Sequence, residues 1–349
     1  MSLDSSPETK RVYERFQLII NGPALFNAIV TGLDLDVFPY LSKNPQSTFE
    51  ELREYTGIPS HKLRILLQAL CATELLEKED GRYTNSSVAE ELLADEGPES
   101  WRHILIGWQR IYYPAFTHMT SALRTGTNTG LASYPGSEPT LYQRLAKDSE
   151  TEGILHASMG AFTQQSMPGL LENAEIGSLR HLLDVGGGDG TTAAALAKRH
   201  PETRITVFDM PSVTRIAEQA VQSGSDSQVR LHPGDIFDDP FPRDVDGILF
   251  SHVLEVFDAE QILHLLGKAY EALPSGGKIF LYGFNVTENE TRGLLAARLS
   301  LYLNVLASGQ GMAYPAADYE AWLRQVGFST VRSVTDLPYE HGLTIGTKA

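Results

Sequence analysis

The sequence has a single cysteine, Cys71, so no intrachain disulfide can form. That fits a reducing, cytoplasmic location. Basic residues are scarce: 28 Lys and Arg stand against 44 Asp and Glu, a formal net charge of -16. So acidic a surface repels phosphate backbones and anionic lipid headgroups, which argues against nucleic acid or membrane as a partner. No run of 18 or more apolar residues occurs, so no transmembrane helix is expected. The opening residues lack the basic-then-apolar pattern of a signal peptide. Internal repeats and low-complexity segments are missing as well.

What is present is enough apolar sequence for two globular domains in 349 residues. Val12, Phe16, Ile19 and Ile20 recur at helical spacing, and Gly22-Pro23 is expected to break that helix. A second apolar stretch runs from Leu25 to Phe38. Both stretches are too apolar for a monomer surface, which predicts a homodimer. Ser47-Thr48 with Glu50 and Glu51 forms a capping-box signature, and Ser60 can cap the next helix, whose apolar face is Leu63, Leu66, Leu67 and Leu70. Leu75–Tyr83 reads as a hairpin turning at Asp80-Gly81. Helix, turn, helix and hairpin outline a winged-helix module over 1–100.

An amphipathic pattern from Trp101 to Met119 is interrupted by Pro114, a loop covers Arg124–Pro139, and helical spacing returns over Leu141–Leu171. Residues 101–175 are read as a helical linker that roofs a pocket, with the domain boundary near Asn173–Ser178. From 176 to 349, strand-like runs alternate with helices: His181–Val185, Arg204–Phe208, Val229–His232, Gly247–Ser251, Lys278–Phe284, Thr330–Thr335 and Leu343–Thr347. That alternation predicts an α/β fold, a doubly wound, Rossmann-like sheet of seven strands. Only a short turn joins the last two, so the last strand should be antiparallel.

The chemistry concentrates after the first of these strands, in Asp184-Val185-Gly186-Gly187-Gly188-Asp189-Gly190. Glycines between a strand and a helix let a ligand approach the backbone, although a plain tight turn would use them too. Asp209 ends the second strand, where a carboxylate accepts from ribose hydroxyls. Asp235, in Gly234-Asp235-Ile236-Phe237, can accept from an adenine amine with Ile236 and Phe237 against the ring, or can simply form a turn. The dinucleotide spacing fits poorly, since Thr191 occupies the third glycine position, and the phosphate-loop lysine is missing. An adenosine ligand without pyrophosphate suits this loop.

These motifs in this order resemble the small-molecule O-methyltransferases of plant caffeic-acid type and their bacterial antibiotic-tailoring relatives, over nearly the whole chain. The resemblance implies S-adenosyl-L-methionine as cofactor and an N-terminal winged-helix dimerisation domain. It implies cofactor contacts from the Asp184–Gly190 loop, Asp209-Met210, Asp235–Phe237, Ser166, and Ser251-His252. It also implies a general-base His after the fourth strand and a second carboxylate that orients it. Here Glu255 stands in the His position and Tyr302 in the carboxylate position. The missing pair turns the reading towards C-methylation ortho to a phenol hydroxyl, on an acceptor such as tyrosine or 3-hydroxykynurenine, with O-methylation the alternative. Glu255 becomes the candidate base. His252, three residues earlier, would share its face if both lay on a helix. The two could supply two metal ligands, but no third is evident, so no metal is assigned. Trp108, Tyr113, Phe116, Tyr134, Met159 and Phe162, with Tyr302, are candidate substrate-clamp residues; each of the first six, taken alone, reads more readily as ordinary core, and Tyr302 as readily packs as hydrogen-bonds the substrate. Two rival readings remain: a winged-helix regulator, thin in phosphate-neutralising residues, and a cofactor-binding protein that does not methylate.

Overall fold

The computed structural model describes residues 6–145, 147–173, 175–223 and 228–349. Ala174, inside the expected domain boundary, and the first five residues lie outside these. The chain divides into two compact units: the described residues up to Ile111 with Gly153–Phe162, and Tyr112–Glu152 with Thr163–Ala349.

The first unit opens on one continuous helix, Pro7–Asp34. The expected break at Gly22-Pro23 is not there. A proline removes one backbone donor from the ladder, and the apolar spacing resumes directly after it, so the helix runs through; Asn27 Nδ2 donates to the Pro23 carbonyl at 2.7 Å. By length and composition this helix is apolar enough to cross a membrane, which a search for unbroken apolar runs overlooks because single polar residues punctuate it. Val12, Phe16, Leu18, Ile19 and Ile20 are each more than half exposed. Asp36, at φ 51°, ends the helix and starts Val37–Lys43. The capping box forms as expected: Thr48 and Glu51 exchange backbone and side-chain bonds at the start of Phe49–Thr56. Ser60, by contrast, is the first helical residue of Ser60–Ala72 and makes no cap bond; Pro59 takes the cap position. Strands β2 (Leu76–Glu79) and β3 (Arg82–Asn85) form the hairpin, with Asp80 and Gly81 both at positive φ. A short strand β1 (Ser47–Thr48) adds to β3, giving the order β1-β3-β2.

In the second unit, seven strands form one sheet: β4 (His181–Val185), β5 (Arg204–Asp209), β6 (Val229–Pro233), β7 (Gly247–Ser251), β8 (Lys278–Phe284), β9 (Phe328–Leu337) and β10 (His341–Lys348). Their order is β6-β5-β4-β7-β8-β10-β9. Strands β4 to β8 pair in parallel, and β10 runs antiparallel to both β8 and β9. The strand order reverses between β4 and β7. The carboxyl ends of those two strands therefore open the crevice where such sheets bind ligands. Two apolar layers cover the sheet, one around Phe208, Phe250 and Leu281, the other around Leu182, Val207 and Phe280.

Candidate active site

At the end of β4 the chain turns through Gly186, Gly188 and Gly190, all at positive φ. Gly186 has a second constraint: a Cβ there would sit 2.7 Å from Val253 Cγ2, beyond the end of β7. The two strand ends can approach only because that position is bare. The Gly188 amide donates to Asp209 Oδ2 at 2.9 Å, and the Met210 amide donates to Oδ1 at 2.7 Å. Asp184 is fully buried behind this loop, and neither of its carboxylate oxygens has a hydrogen-bond partner among the described residues. Burial, then the nearby Asp209, pushes its pKa up to about 7. Asp209 is also raised by burial, against the lowering effect of its two amide donors.

Asp235 forms the turn that its sequence allowed. Its Oδ1 accepts from the Phe237 amide at 2.8 Å and the Asp238 amide at 3.3 Å. Lys268, which the sequence did not bring forward, ties the same turn by donating to the Ile236, Phe237 and Asp239 carbonyls at 2.5, 2.9 and 2.8 Å. Phe237 packs edge-on against Phe257. Met210 is half exposed.

At the end of β7 the structure brings His252, Glu255 and Ser166 together. His252 Nδ1 lies 3.4 Å from Glu255 Oε1, and its Nε2 lies 3.4 Å from Ser166 Oγ. The helical reading of the His252–Glu255 spacing does not hold. His252 sits at φ 57°, ahead of the short turn Leu254–Val256, and the tightness of that turn makes the contact. Glu255 is 4% exposed, far from a solvated carboxylate. It faces a cavity with room for about one water, lined also by Tyr282, Gly283, Asn285, Tyr319 and Gly342. Tyr282 donates to the Ser166 carbonyl and so fixes the helix end that carries Ser166. His341, missed in the sequence, meets His252 edge-on at 4.9 Å and donates from Nδ1 to the Tyr339 carbonyl at 2.9 Å. Burial, then His252, pushes its pKa down to about 3, so it stays neutral. A carboxylate, an imidazole and a hydroxyl in such a row can accept and share a proton.

The candidate clamp residues fall in both units. Trp108 is buried edge-on to Trp101, which also meets Phe162 edge-on, and Met159 is exposed; all belong to the first unit. In the second, Tyr113 packs on Phe116, and burial pushes the Tyr134 hydroxyl up to about 12. Tyr302 is buried, stacked on Tyr112 with ring centroids 4.1 Å apart, and its hydroxyl donates to Tyr142 Oη at 3.3 Å. Tyr112, Tyr142 and Arg298 were not among the expected residues. The signal available for Arg298 was its four-residue spacing from Tyr302, which puts both on one helical face.

A family model of the O-methyltransferase domain matches residues 116–329, and one of the O-methyltransferase dimerisation domain matches residues 18–95. The chain is 30% identical to the L-tyrosine C(3)-methyltransferase of Streptomyces lavendulae, across 95% of this chain and 91% of that protein. It is 31% identical to the 3-hydroxy-5-methyl-1-naphthoate 3-O-methyltransferase of Streptomyces sahachiroi, across 86% of this chain and 85% of that protein. Among solved structures, the S-adenosylmethionine-dependent methyltransferase SibL in its apo form matches with a TM-score of 0.88 at 32% identity, covering 96% of this chain and 98% of that one. With both domain models matched and the likeness running nearly end to end, the chain belongs to the O-methyltransferase family and is an S-adenosylmethionine-dependent methyltransferase with a dimerisation domain.

Proposed function

We propose that this enzyme methylates a ring carbon ortho to the hydroxyl of a phenolic small molecule, such as a hydroxylated aromatic amino acid. The observation that carries this reading is the proton-handling group itself: a buried Glu255 against His252, with the hydroxyl of Tyr302 where the resemblance calls for a carboxylate. The two curated relatives, by their names, act on L-tyrosine at carbon and on a hydroxynaphthoate at oxygen. Both are hydroxyarenes, and they differ in the atom methylated. O-methylation is therefore the alternative, favoured by the second relative.

The cofactor end fits a cationic adenosine ligand on its own chemistry. Asp184 is a buried carboxylate whose oxygens lack a hydrogen-bond partner among the described residues. Asp209 offers acceptors at the strand end, and a Cβ on Gly188 would meet nothing within 4 Å, which leaves the loop open to a close ligand. Asp184, Gly186, Gly188, Gly190, Asp209 and Met210 would hold S-adenosylmethionine. Asp235, Ile236 and Phe237 would hold its adenine side, and Ser166, Ser251 and His252 its methionine side. When bound, that cofactor supplies an electrophilic methyl group.

The protein's part is to orient and to move protons. An ortho carbon attacking the methyl group forms a C–C bond as the S–CH3 bond breaks. The ring then carries an extra proton, and its loss restores the aromatic system. Glu255 accepts that proton, and His252, 3.4 Å away, shares it. Tyr302 orients the phenol hydroxyl, and Tyr113, Phe116 and Tyr134 line the acceptor side. The exposed apolar face of Pro7–Asp34, which the matched dimerisation segment overlaps from residue 18 onward, forms the contact of a cytoplasmic homodimer. Deleting residues 1–40 should then give insoluble or inactive monomer; an active, soluble monomer on gel filtration would remove the dimer from the reading.

The deciding experiment is NMR of the products formed from hydroxylated aromatic amino acids. An aryl-methyl signal with one ring proton lost supports transfer to carbon. A methoxy signal with every ring proton kept restores O-methylation.

A further inference from the structure

The turn that carries Glu255 is gripped by a loop with no part in the chemistry so far. The helix Leu294–Tyr302 runs directly into a π-helical turn, Leu303–Ala307, and then into a loop over residues 308–315. Such turns are rare and occur mostly where function re-aims a backbone. Here the Leu303 carbonyl accepts from the Ser308 and Gly309 amides at 3.1 and 2.9 Å, which starts the loop.

Gly311 is the point of contact. It sits at φ 80°, and a Cβ there would lie 2.2 Å from the Glu255 carbonyl oxygen, with the Val256 carbonyl carbon and oxygen at 2.7 and 2.8 Å. All three are backbone atoms, so no side chain can swing aside to make room. Side chains tie the same loop to the same turn. The Tyr314 hydroxyl donates to the Phe257 carbonyl at 2.9 Å, and Ser308 Oγ donates to the Val256 carbonyl at 3.3 Å. Asn304, on the π-helical turn, holds Gly311 itself: its Nδ2 donates to the Gly311 carbonyl at 2.7 Å and to the Ser300 carbonyl at 2.9 Å. The Glu255 carboxylate rests on a second bare position, since a Cβ on Gly283 would lie 2.8 and 2.9 Å from its two oxygens.

A loop that only joined two helices would not need so close an approach to this turn. Proton transfer does need it, because the acceptor must stay within hydrogen-bond reach, and a displacement of about 1 Å can cost about a hundredfold in rate. Tyr302 stands two residues ahead of Asn304 on the same stretch of chain. We propose that Gly311 is a positioning residue for Glu255, with Asn304 holding Gly311 in place, so that the loop fixes the proton acceptor relative to Tyr302. The inference rests on the role of Glu255 proposed above.

The test is a double-mutant cycle on full-length enzyme with S-adenosylmethionine and L-tyrosine, read by product mass. Beside it stands carbon-13 NMR of enzyme labelled at its glutamate carboxylates, in which the Glu255 line is the one that Glu255→Gln deletes. Gly311→Ala should lower kcat about tenfold or more, and Asn304→Ala should lower it less, with KM and S-adenosylhomocysteine affinity kept. Both should shift the Glu255 line. In the Glu255→Gln background neither should lower kcat further, because a residue that acts through Glu255 has nothing left to act on. A Glu255 line that stays in place in both variants overturns the proposal. An equal loss of kcat in the Gln background also overturns it, since Gly311 and Asn304 then serve the fold at large. Where Gly311→Ala fails to fold, Asn304→Ala, which adds no atom, decides alone. Parent-like kcat in Glu255→Gln defeats the proposed proton acceptor and the positioning role with it. No transfer to L-tyrosine by the unaltered enzyme defeats only that acceptor, and the NMR line then decides the seating of Glu255.

Discussion

The two ends of the proposed site differ in charge. At the β4–β5 end, two carboxylates lie close together, Asp184 without a hydrogen-bond donor among the described residues and Asp209 held by two backbone amides. The pair is costly by itself and becomes favourable beside a cation. At the tyrosine end, burial keeps the hydroxyls of Tyr112, Tyr142 and Tyr302 neutral, and the Arg298 guanidinium carbon lies 5.9 Å from the centre of the Tyr112 ring. Between them stand His252 and Glu255, which can take up a proton. The contrast teaches that one end is built to receive positive charge and the other to present neutral hydroxyls, with the proton-accepting group as a separate element. The sharpest way to break this picture is to remove the middle. Glu255→Gln keeps size and burial but cannot take up a proton. General-base help is worth roughly 10²–10⁴-fold, so turnover should fall by about that factor with cofactor affinity unchanged. Stopped-assay rates together with calorimetry would check both halves. A rate within threefold or so of the parent moves the proton elsewhere.

The next effect belongs to the cofactor end. Asp184 has a folded pKa of about 7, above its ordinary value of 3.8. A carboxyl raised on folding stabilises the protein fully below its unfolded pKa, and that contribution is lost as pH rises through the folded pKa. Ligand-free enzyme should therefore lose stability between about pH 4 and pH 7, by up to about 4 kcal/mol from this group. Asp184→Asn, neutral throughout, should match the parent near pH 4 and become progressively more stable than it towards pH 7. Melting curves across that range test the sign. A pH-independent difference means that Asp184 is ionised and partnered in the free enzyme, and the contrast between the two ends collapses. S-adenosylmethionine should shrink the difference, since a bound cation favours the ionised form.

These two ends were unequally legible in the sequence. The cofactor end is written contiguously: a strand, a glycine turn and a helix in one stretch, then Asp209 at the close of the next strand. The central strands β4 and β7 could be read because buried parallel strands are short apolar runs with turn residues between them. The tyrosine end is assembled from Tyr112, Tyr142 and Tyr302, residues up to 190 positions apart (302 − 112). No local period joins them, and only packing does. Local rules also failed where tertiary context outweighed them: Pro23 did not end its helix, and His252 meets Glu255 through a left-handed residue and a tight turn, with no helix involved.

Asp209→Ala sharpens the comparison more gently. It removes acceptors for ribose hydroxyls, at ~1.5–3 kcal/mol for each hydrogen bond to a charged group, so S-adenosylmethionine should bind about ten- to a hundredfold more weakly. The sheet should survive, because Asp209 sits at a strand end outside the apolar layers. Unchanged affinity by calorimetry would take Asp209 out of the site, and measurable NAD binding by the parent would overturn the reading of the loop.

The smallest expected effect is at Tyr302. Its ring and its hydroxyl do separate things: the ring stacks on Tyr112 at 4.1 Å, and the hydroxyl donates to Tyr142 at 3.3 Å. Tyr302→Phe keeps the stack and deletes only the hydroxyl. A neutral hydrogen bond contributes about 0.5–1.5 kcal/mol net, which corresponds to roughly a two- to tenfold change. If Tyr302 orients the acceptor, that loss should appear in KM and kcat/KM with kcat nearly kept, because the proton still goes to Glu255. Tyr302 also lies in the position where the resemblance calls for a base-orienting carboxylate, so the variant separates two designs. A loss of kcat as deep as that of Glu255→Gln would mean that the Tyr302 and Tyr142 hydroxyls carry the proton. The proton path would then run along the tyrosine hydroxyls, and the division between a hydroxyl-lined end and a separate proton-accepting group would no longer stand.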